Sequence, residues 1–202
     1  MDKFVKEKYP EYWNSYNSIN NDYIVAKSDF FRYLIIYYYG GVYFDIKSGC
    51  KKPLRKVIKY DDEMIISSWW IINLPYLEKT PNWFIIARKR HPLLKKIIDE
   101  IDLKIKNYNV KKDGSGVIGV WYLTGPRLLE KVFLENKNKF KNQITVYPNL
   151  INNNLVYSYL SKNNFDNICC LLYSVTKGYI GYCKHKSNKK SYNELSNPII
   201  KK

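Results

Sequence analysis

A short stretch in the first quarter of the chain carries residue types that suit the binding of a sugar or a phosphate. Residues 42–46 read VYFDI, and their β-branched and aromatic content predicts a strand. Because side chains alternate along a strand, Tyr43, Asp45 and Lys47 are expected on one face. An aromatic ring, an acid and a base on one face of an apolar strand suit sugar hydroxyls or phosphate oxygens.

A second pair of charged residues precedes this strand. Asp29 and Arg32 are three residues apart, which places them on one face of a helix. We expect this helix to begin with Ser28 as its N-cap, so that Asp29 lies in the first turn. Gly40 and Gly41 then end the helix and form a tight turn into the strand.

Each of these charged residues also has a plain structural explanation. Asp29 would stabilise a helix N-terminus, Arg32 would pair with it, Asp45 would cap a turn, and Lys47 would be solvated. Their joint occurrence favours a site, because the helix, the glycine turn and the strand follow one another without intervening loop residues. Ligands of open α/β sheets bind beyond the carboxyl ends of strands, where Asp45 is expected.

The elements predicted along the chain alternate between helices and strands, which favours an α/β fold. Helices are predicted over residues 2–18 with a break at Pro10, 28–39, 53–60, 91–107 and 125–140. Strands are predicted over residues 42–46, 63–74, 144–148 and 168–175. Residues 82–88 are ambiguous between a strand and a short helix, residues 152–163 are ambiguous between a helix and a loop, and residues 108–116 are a predicted loop.

The composition favours one globular domain over residues 1–202, with a basic loop or tail over about 184–202. The net charge of +16 comes mainly from lysine, since only five of the 34 basic residues are arginines. Nucleic-acid-binding proteins favour arginine for base contacts, so no nucleic-acid partner is expected. There is no signal-peptide pattern and no apolar run of the ~20 residues that span a bilayer. We therefore expect a soluble or cytoplasmic protein without a transmembrane segment.

The stretch from Ala26 to Leu54 resembles the signature of the glycosyltransferase family 32 sugar-transferase domain, which groups yeast mannosyltransferase-like and clostridial-toxin-like enzymes. That signature is approximately A-x-x-S/A-D-x-x-R-x-x-x-L-x-x-x-G-G-x-Y-x-D-x-D. Residues 82–94, with an N-x-(apolar)-x-A-x-x-x-H-P-x-L pattern, and residues 124–129, with a T-G-P-x-x-L pattern, resemble later segments of the family in the right order.

The resemblance implies a GT-A-like, nucleotide-sugar-binding fold and sugar transfer from a UDP- or GDP-linked donor to a glycan or protein acceptor, with retention of configuration. It implies that Asp29, Arg32, Tyr43 and Gly41 bind the donor. It also implies a catalytic role for Asp45 together with position 47, and a divalent Mn²⁺ or Mg²⁺ held by the acids of the D-x-D motif.

Two departures from the family pattern bear on activity. The second acid of D-x-D is Lys47 here, so three alternatives are open: Lys47 replaces the metal, Asp45 alone holds it, or the site is inactive. The first strand of the family, which holds part of the nucleotide base, has no counterpart in the sequence. The leading interpretation is thus a glycosyltransferase. The alternatives are a catalytically degenerate glycosyltransferase-like binding protein and, less favoured, a basic nucleic-acid-binding module.

Overall fold

The computed structural model describes residues 1–45, 48–50, 53–68, 80–148, 156–158 and 195–201. It has seven helices in this part of the chain: α1 (Asp2–Lys8), α2 (Pro10–Ser18), α3 (Ile24–Tyr39), α4 (Pro92–Lys106), α5 (Val110–Asp113), α6 (Gly116–Leu123) and α7 (Pro126–Asn136). Six strands accompany them: β1 (Gly41–Phe44), β2 (Ser48–Cys50), β3 (Met64–Ser68), β4 (Phe84–Ala87), β5 (Ile144–Pro148) and β6 (Val156–Ser158). Over the described residues, no helix combines the length and the apolar character needed to cross a bilayer.

The predicted α/β class is confirmed by a mixed four-stranded sheet in the order β1-β4-β3-β5. Strand β4 is antiparallel to both of its neighbours, with Gly41 opposite Ala87 and Met64 opposite Ala87. Strand β5 runs parallel to β3, with Met64 opposite Ile144. Strands β2 and β6 form a separate antiparallel pair. The ambiguous residues 82–88 therefore contribute a central strand rather than a helix.

The main core lies between one face of this sheet and the helices. Met64, Ile66 and Ile85 are fully or almost fully buried on that face and pack with apolar residues of α1–α4, α6 and α7. The most regular predicted helix, α4, buries Leu94, Ile97, Ile98, Ile101 and Ile105 on one face, as the periodicity indicates. The other face of the sheet carries a smaller apolar cluster that contains Ile65, Trp83, Phe84 and Ile86.

Helix α3 begins earlier than the sequence predicts. It starts at Ile24 rather than at Ser28, because a 3₁₀ turn over Asn21–Tyr23 leads directly into it. The side chain of Asn20 caps that turn by accepting a hydrogen bond from the backbone N–H of Asp22, at 3.2 Å. Asn20, rather than Ser28, is therefore the capping residue that precedes this helical segment. Asp29 lies in the second turn of α3, where its charge has no role at the helix N-terminus.

The glycine turn between α3 and β1 is as tight as predicted. The N–H of Gly40 donates to the carbonyl of Ile36 at 2.7 Å, which closes the last turn of α3. Gly40 has φ = 70°, and a Cβ atom there would lie 2.6 Å from the backbone nitrogen of Lys89. Glycine is thus required at this position both by the backbone conformation and by the close approach of another chain segment.

Helix α6 has no counterpart among the predicted elements. Its sequence, GVIGVWYL, buries Gly116, Gly119, Val120 and Leu123, yet Ile118 and Tyr122 are exposed on the other side. Because apolar residues occur on both faces, the segment lacks the alternation of apolar and polar faces that identifies a surface helix. A single turn, α5, also interrupts the predicted loop over residues 108–116.

The last described residues are part of the core. Ile199 and Ile200 are buried, and Ile200 forms a β-bridge with Ile19. The N–H of Asn20 donates to the carbonyl of Ile199 at 2.7 Å. The basic tail predicted for residues 184–202 is therefore not solvated at these two positions. Residues 184–194 of that tail, and the predicted strand over residues 168–175, lie outside the described residues.

Candidate functional site

The candidate site lies where the middle of α3 meets the residue after β1 and the residues just before β4. Asp29 and Arg32 are one turn apart on α3 and are both buried, with side chains 8% and 4% exposed. Asp45 follows the last residue of β1, and its side chain is 35% exposed. The tight turn at Gly40 returns the chain along α3, which brings Asp45 alongside Arg32. The site thus joins a buried ion pair to a carboxylate that solvent can reach.

The guanidinium of Arg32 is the centre of this cluster. Its Nη2 lies 2.5 Å from Oδ1 of Asp29, and its Nη1 lies 3.2 Å from Oδ1 of Asp45. Nη1 also donates to the backbone carbonyl of Asn82 at 2.7 Å. The ring of Tyr43 lies beside the guanidinium, with the centroid 4.9 Å from Cζ. Arg32 is therefore held by two carboxylates, a carbonyl and an aromatic face, which together determine its orientation.

Tyr43 and Asp45 lie on the same face, as the alternation along the strand predicts. The hydroxyl of Tyr43 donates to Oδ1 of Asp45 at 3.0 Å, and the N–H of Asp45 donates to the carbonyl of Trp83 at 2.9 Å. Both side-chain contacts to Asp45 from the described residues fall on Oδ1. In this part of the structure Oδ2 has no partner, so it is the oxygen available to a ligand.

Two members of the cluster are absent from the set of predicted site residues. The side-chain amide of Asn82 donates to Oδ1 of Asp29 at 3.1 Å, and the hydroxyl of Thr124 donates to Oδ2 of Asp29 at 3.3 Å. Both side chains are buried. A signal for them existed in the sequence, since Asn82 begins the N-x-(apolar) segment and Thr124 begins the T-G-P segment of the family resemblance.

The remaining predicted site residues are not part of this cluster as described. Gly41 begins β1 and pairs with Ala87, about 13 Å from Asp45 at the usual strand rise. It is exposed, with φ = 103°. Lys47 lies outside the described residues, so its predicted position beside Tyr43 and Asp45 remains a prediction.

The electrostatics of the site are dominated by burial. Burial raises the pKa of the Asp29 carboxyl from 3.8 to about 6, although Arg32 and the hydrogen bonds from Asn82 and Thr124 act in the opposite direction. Burial alone would lower the pKa of Arg32, but Asp29 and Asp45 raise it above its usual value. Arg32 is therefore a permanent cation, whereas Asp29 changes charge near pH 6.

Among the described residues of this cluster, one carboxylate oxygen is available to a divalent metal. No group of three His, Cys, Asp or Glu side chains that could hold a metal occurs within the described ranges. Both oxygens of Asp29 accept hydrogen bonds or pair with Arg32, which leaves Oδ2 of Asp45. Mg²⁺ is commonly bound by one or two carboxylates together with substrate phosphates and water. Asp45 fits such a site, in which most ligands come from the substrate.

Comparisons with known proteins indicate the family. Residues 1–69 match the family model described as a glycosyltransferase sugar-binding region containing a DXD motif. This range includes Asp29, Arg32, Tyr43 and Asp45, although the sequence has Asp-Ile-Lys where the motif name has a second acid.

Several curated relatives are mannosyltransferases of fungi. The chain is 25% identical to the mannosyl phosphorylinositol ceramide synthase CSH1 of Saccharomyces cerevisiae, over 67% of this chain and 32% of the relative. It is 29% identical to inositol phosphoceramide mannosyltransferase 1 of Schizosaccharomyces pombe, over 78% of this chain and 45% of the relative. It is 26% identical to the initiation-specific alpha-1,6-mannosyltransferase of Candida albicans, over 62% and 38% respectively.

The chain therefore spans between about a third and just under half of the length of these relatives. Among solved structures, the PaToxG glycosyltransferase matches 64% of this chain and 42% of its own, with 20% identity and a TM-score of 0.47. The match over residues 1–69 confirms the resemblance to a glycosyltransferase family that the sequence predicts.

Proposed function

We propose that this protein transfers a hexosyl group from a nucleotide-sugar to a glycan or protein acceptor through the cluster around Arg32. The observation that carries the proposal is the buried Asp29–Arg32 pair joined to the half-exposed Asp45 within the sugar-binding region. A buried, oriented guanidinium beside a reachable carboxylate is suited to a polar, anionic ligand. The mannosyltransferase relatives make a mannosyl donor the first one to test.

The charge of the cluster determines what must accompany the donor. With Asp29 and Asp45 ionised, the two carboxylates and Arg32 sum to a net charge of −1. A diphosphate is itself an anion, so a further cation is required to stabilise the leaving nucleotide. Asp45 would hold a Mn²⁺ or Mg²⁺ ion through Oδ2, and such an ion supplies Lewis-acid stabilisation of the diphosphate when bound.

Lys47 offers a second source of positive charge. Lys47 lies two residues after Asp45, where the D-x-D pattern has its second acid. The sequence therefore has a cation in place of that carboxylate. Lysine binds phosphates directly as a point charge. We propose that Lys47 reduces the need for a divalent metal, so that donor binding and turnover persist partly after chelation.

The contacts at the site support transfer with retention of configuration. The carboxylates of Asp29 and Asp45 both pair with Arg32, so neither is well suited to deprotonate an acceptor hydroxyl. We propose that the bond between the anomeric carbon and the diphosphate oxygen breaks while the acceptor oxygen bonds to the same face. The acceptor proton passes to the departing diphosphate oxygen.

The test begins with binding and continues to turnover. A thermal-shift panel of UDP- and GDP-linked sugars, including mannosyl donors, should show a rise in Tm with at least one donor. Release of nucleotide from that donor is then measured with Mn²⁺, with EDTA, and in the Asp45→Asn variant. We expect release that EDTA lowers only partly and that the Asp45→Asn variant lacks.

Each alternative predicts a different result in the same panel. A specific shift in Tm without nucleotide release under any condition would favour a catalytically degenerate, sugar-binding relative. Complete loss of turnover in EDTA, restored by Mn²⁺, would contradict the proposed role of Lys47 while leaving the glycosyltransferase proposal intact. No shift with any nucleotide-sugar would contradict the proposed function itself.

A further inference from the structure

The two residues that precede strand β4 contact all three charged residues of the site. The side-chain amide of Asn82 donates to Asp29 at 3.1 Å, and the backbone carbonyl of Asn82 accepts from Arg32 at 2.7 Å. The carbonyl of Trp83 accepts from the N–H of Asp45 at 2.9 Å. Two adjacent residues therefore link the pair on α3 to the carboxylate after β1. Arg32 and Asp29 precede Asn82 by 50 and 53 residues, so these contacts join distant segments of the chain.

We propose that Asn82 is a positioning residue, which holds the Asp29–Arg32 pair in register with Asp45 so that the guanidinium faces the donor. This inference deepens the proposed function and rests on it. Asn82 is 7% exposed, its side-chain nitrogen donates to Asp29, and its backbone carbonyl accepts from Arg32. It thus acts through Arg32 rather than by touching the donor.

The polar contacts of the guanidinium with the described residues fall on two of its three nitrogens. Of the Arg32 nitrogens, Nη2 contacts Asp29 and Nη1 is shared between Asn82 and Asp45. The Nε atom is buried and has no hydrogen-bond partner among the described residues, so none of them restrains the group through this atom. Because Asn82 donates one of the two side-chain hydrogen bonds to Asp29, losing its amide loosens the anion that fixes one side of the guanidinium.

An amide is the side chain that suits this position. Its nitrogen donates to Asp29. Because the amide is neutral, the net charge of the cluster stays the same. A carboxylate of the same shape would place a third anion around one guanidinium and would repel Asp29. An alanine would leave Oδ1 of Asp29 with Arg32 as its one partner among the described residues. Asn82→Asp therefore tests the charge at this position, and Asn82→Ala tests the hydrogen bond.

Thr124 supplies a second, weaker restraint on the same carboxylate. Its hydroxyl donates to Oδ2 of Asp29 at 3.3 Å, from the residue between α6 and α7. Thr124→Val removes the hydroxyl while nearly preserving the shape. If the restraint of Asp29 is what matters, this variant should change the same quantities as Asn82→Ala, by a smaller amount.

The experiment compares Asn82→Ala and Thr124→Val with the control Asn136→Ala. The amide of Asn136 is also partly buried and donates to a backbone carbonyl, that of Val132, at 2.8 Å, but it lies at the end of α7. We expect kcat to fall about 100-fold in Asn82→Ala, as for a misplaced catalytic geometry. The control should keep kcat within about twofold. A smaller loss is expected for Thr124→Val, and a larger one for Asn82→Asp.

A second readout separates positioning from a loss of packing. The hydrogen bond from Asn82 opposes the rise in the pKa of Asp29, so its removal should move the Asp29 titration to higher pH. This is measured by ¹³C NMR of the Asp29 carboxyl, assigned by its loss in Asp29→Asn. Arg32, Asp45, Tyr33 and Tyr43 surround this carboxyl and are unchanged in the variants.

The outcomes are distinct from those of the proposed function. If Asn82→Ala and Asn136→Ala show the same kcat, or if the Asp29 titration does not move in Asn82→Ala, the positioning role is overturned. If Asn82→Ala is too unstable to measure, Thr124→Val decides between the same two results. If the wild type turns over no donor, the proposed function fails, whereas the NMR titration still decides whether Asn82 restrains Asp29.

Discussion

Two clusters in this protein combine a tyrosine hydroxyl, a carboxylate and a cation, yet only one resembles a functional site. Between α2 and α4, Tyr12 donates to Asp99, and Lys95 contacts both oxygens of Asp99 at 2.5 and 2.7 Å. At the candidate site, Tyr43 donates to Asp45, which pairs with Arg32. The chemical groups are nearly the same in both places, so composition does not explain the difference.

Burial separates the two clusters. The side chains of Lys95 and Asp99 are 44% and 49% exposed, and they are four residues apart on one helix face. The guanidinium of Arg32 is almost fully buried and joins residues from α3, β1 and β4. An exposed ion pair contributes little to the free energy of unfolding, because water solvates both charged groups well in the unfolded chain. In a buried network, removing the partner of a charged group carries a large desolvation cost.

The largest contrast should appear when each cation is replaced by methionine. Arg32→Met leaves Asp29 buried without its main partner, so we expect the free energy of unfolding to fall by about 3–5 kcal/mol. Lys95→Met should change it by less than about 1 kcal/mol. Urea denaturation at pH 7 measures both. Equal effects would show that the Arg32 cluster is not a buried charge network.

Replacing each carboxylate by its amide sharpens the functional side of the comparison. Asp45→Asn should lower nucleotide release from the donor about 100- to 1000-fold, as for the loss of one stabilising group at a reaction centre. Its Tm should stay within a few degrees of the wild type, since Asp45 is half-exposed. Asp99→Asn should leave nucleotide release unchanged. Unaltered release in Asp45→Asn would remove this residue from the proposed mechanism.

The pH dependence of stability tests the buried carboxylate. The pKa of Asp29 is raised by burial from 3.8 to about 6, so the folded protein holds this proton more tightly than the unfolded chain. The stability that protonated Asp29 contributes is present below about pH 4 and is lost as the pH rises through about 6. The difference in unfolding free energy between wild type and Asp29→Asn should therefore fall by about 2 kcal/mol from pH 4 to pH 7. A difference that does not vary with pH would contradict the raised pKa.

The smallest predicted effect concerns salt. Raising NaCl from about 0.05 M to 0.5 M shortens the Debye length and screens charges that are in contact with water. The destabilisation caused by Lys95→Met should shrink by a few tenths of a kcal/mol. The destabilisation caused by Arg32→Met should not change within experimental error. A comparable salt dependence for both variants would mean that water reaches the Arg32 cluster.

The parts of the site that the sequence predicts are those governed by local periodicity. Asp29 and Arg32 share a helix face because they are three residues apart, and Tyr43 and Asp45 share a strand face because they are two apart. Both pairs are in contact in the structure. The tight turn at Gly40 is equally local, because it follows from a single residue that tolerates positive φ.

The errors have physical reasons of two kinds. Ser28 resembles an N-cap, but the 3₁₀ turn capped by Asn20 starts the helix earlier, so the stronger local signal lies elsewhere. Helix α6 is missed because it is apolar on both faces and shows no helical pattern of polarity. Ile199 and Ile200 follow a polar stretch, and their burial depends on a bridge to Ile19, 181 residues away for Ile200.

The sequence alone determined the resemblance to a glycosyltransferase family, the α/β class and the two local pairs that carry the charges of the site. Only the tertiary structure decided that these pairs form one cluster, because Asp29 meets Asn82 and Thr124 across 53 and 95 residues. Contacts at such separations depend on how β4 packs between β1 and β3 and where α6 ends. Periodicity describes the faces of single elements, whereas burial, which distinguishes Arg32 from Lys95, arises only when the elements pack together.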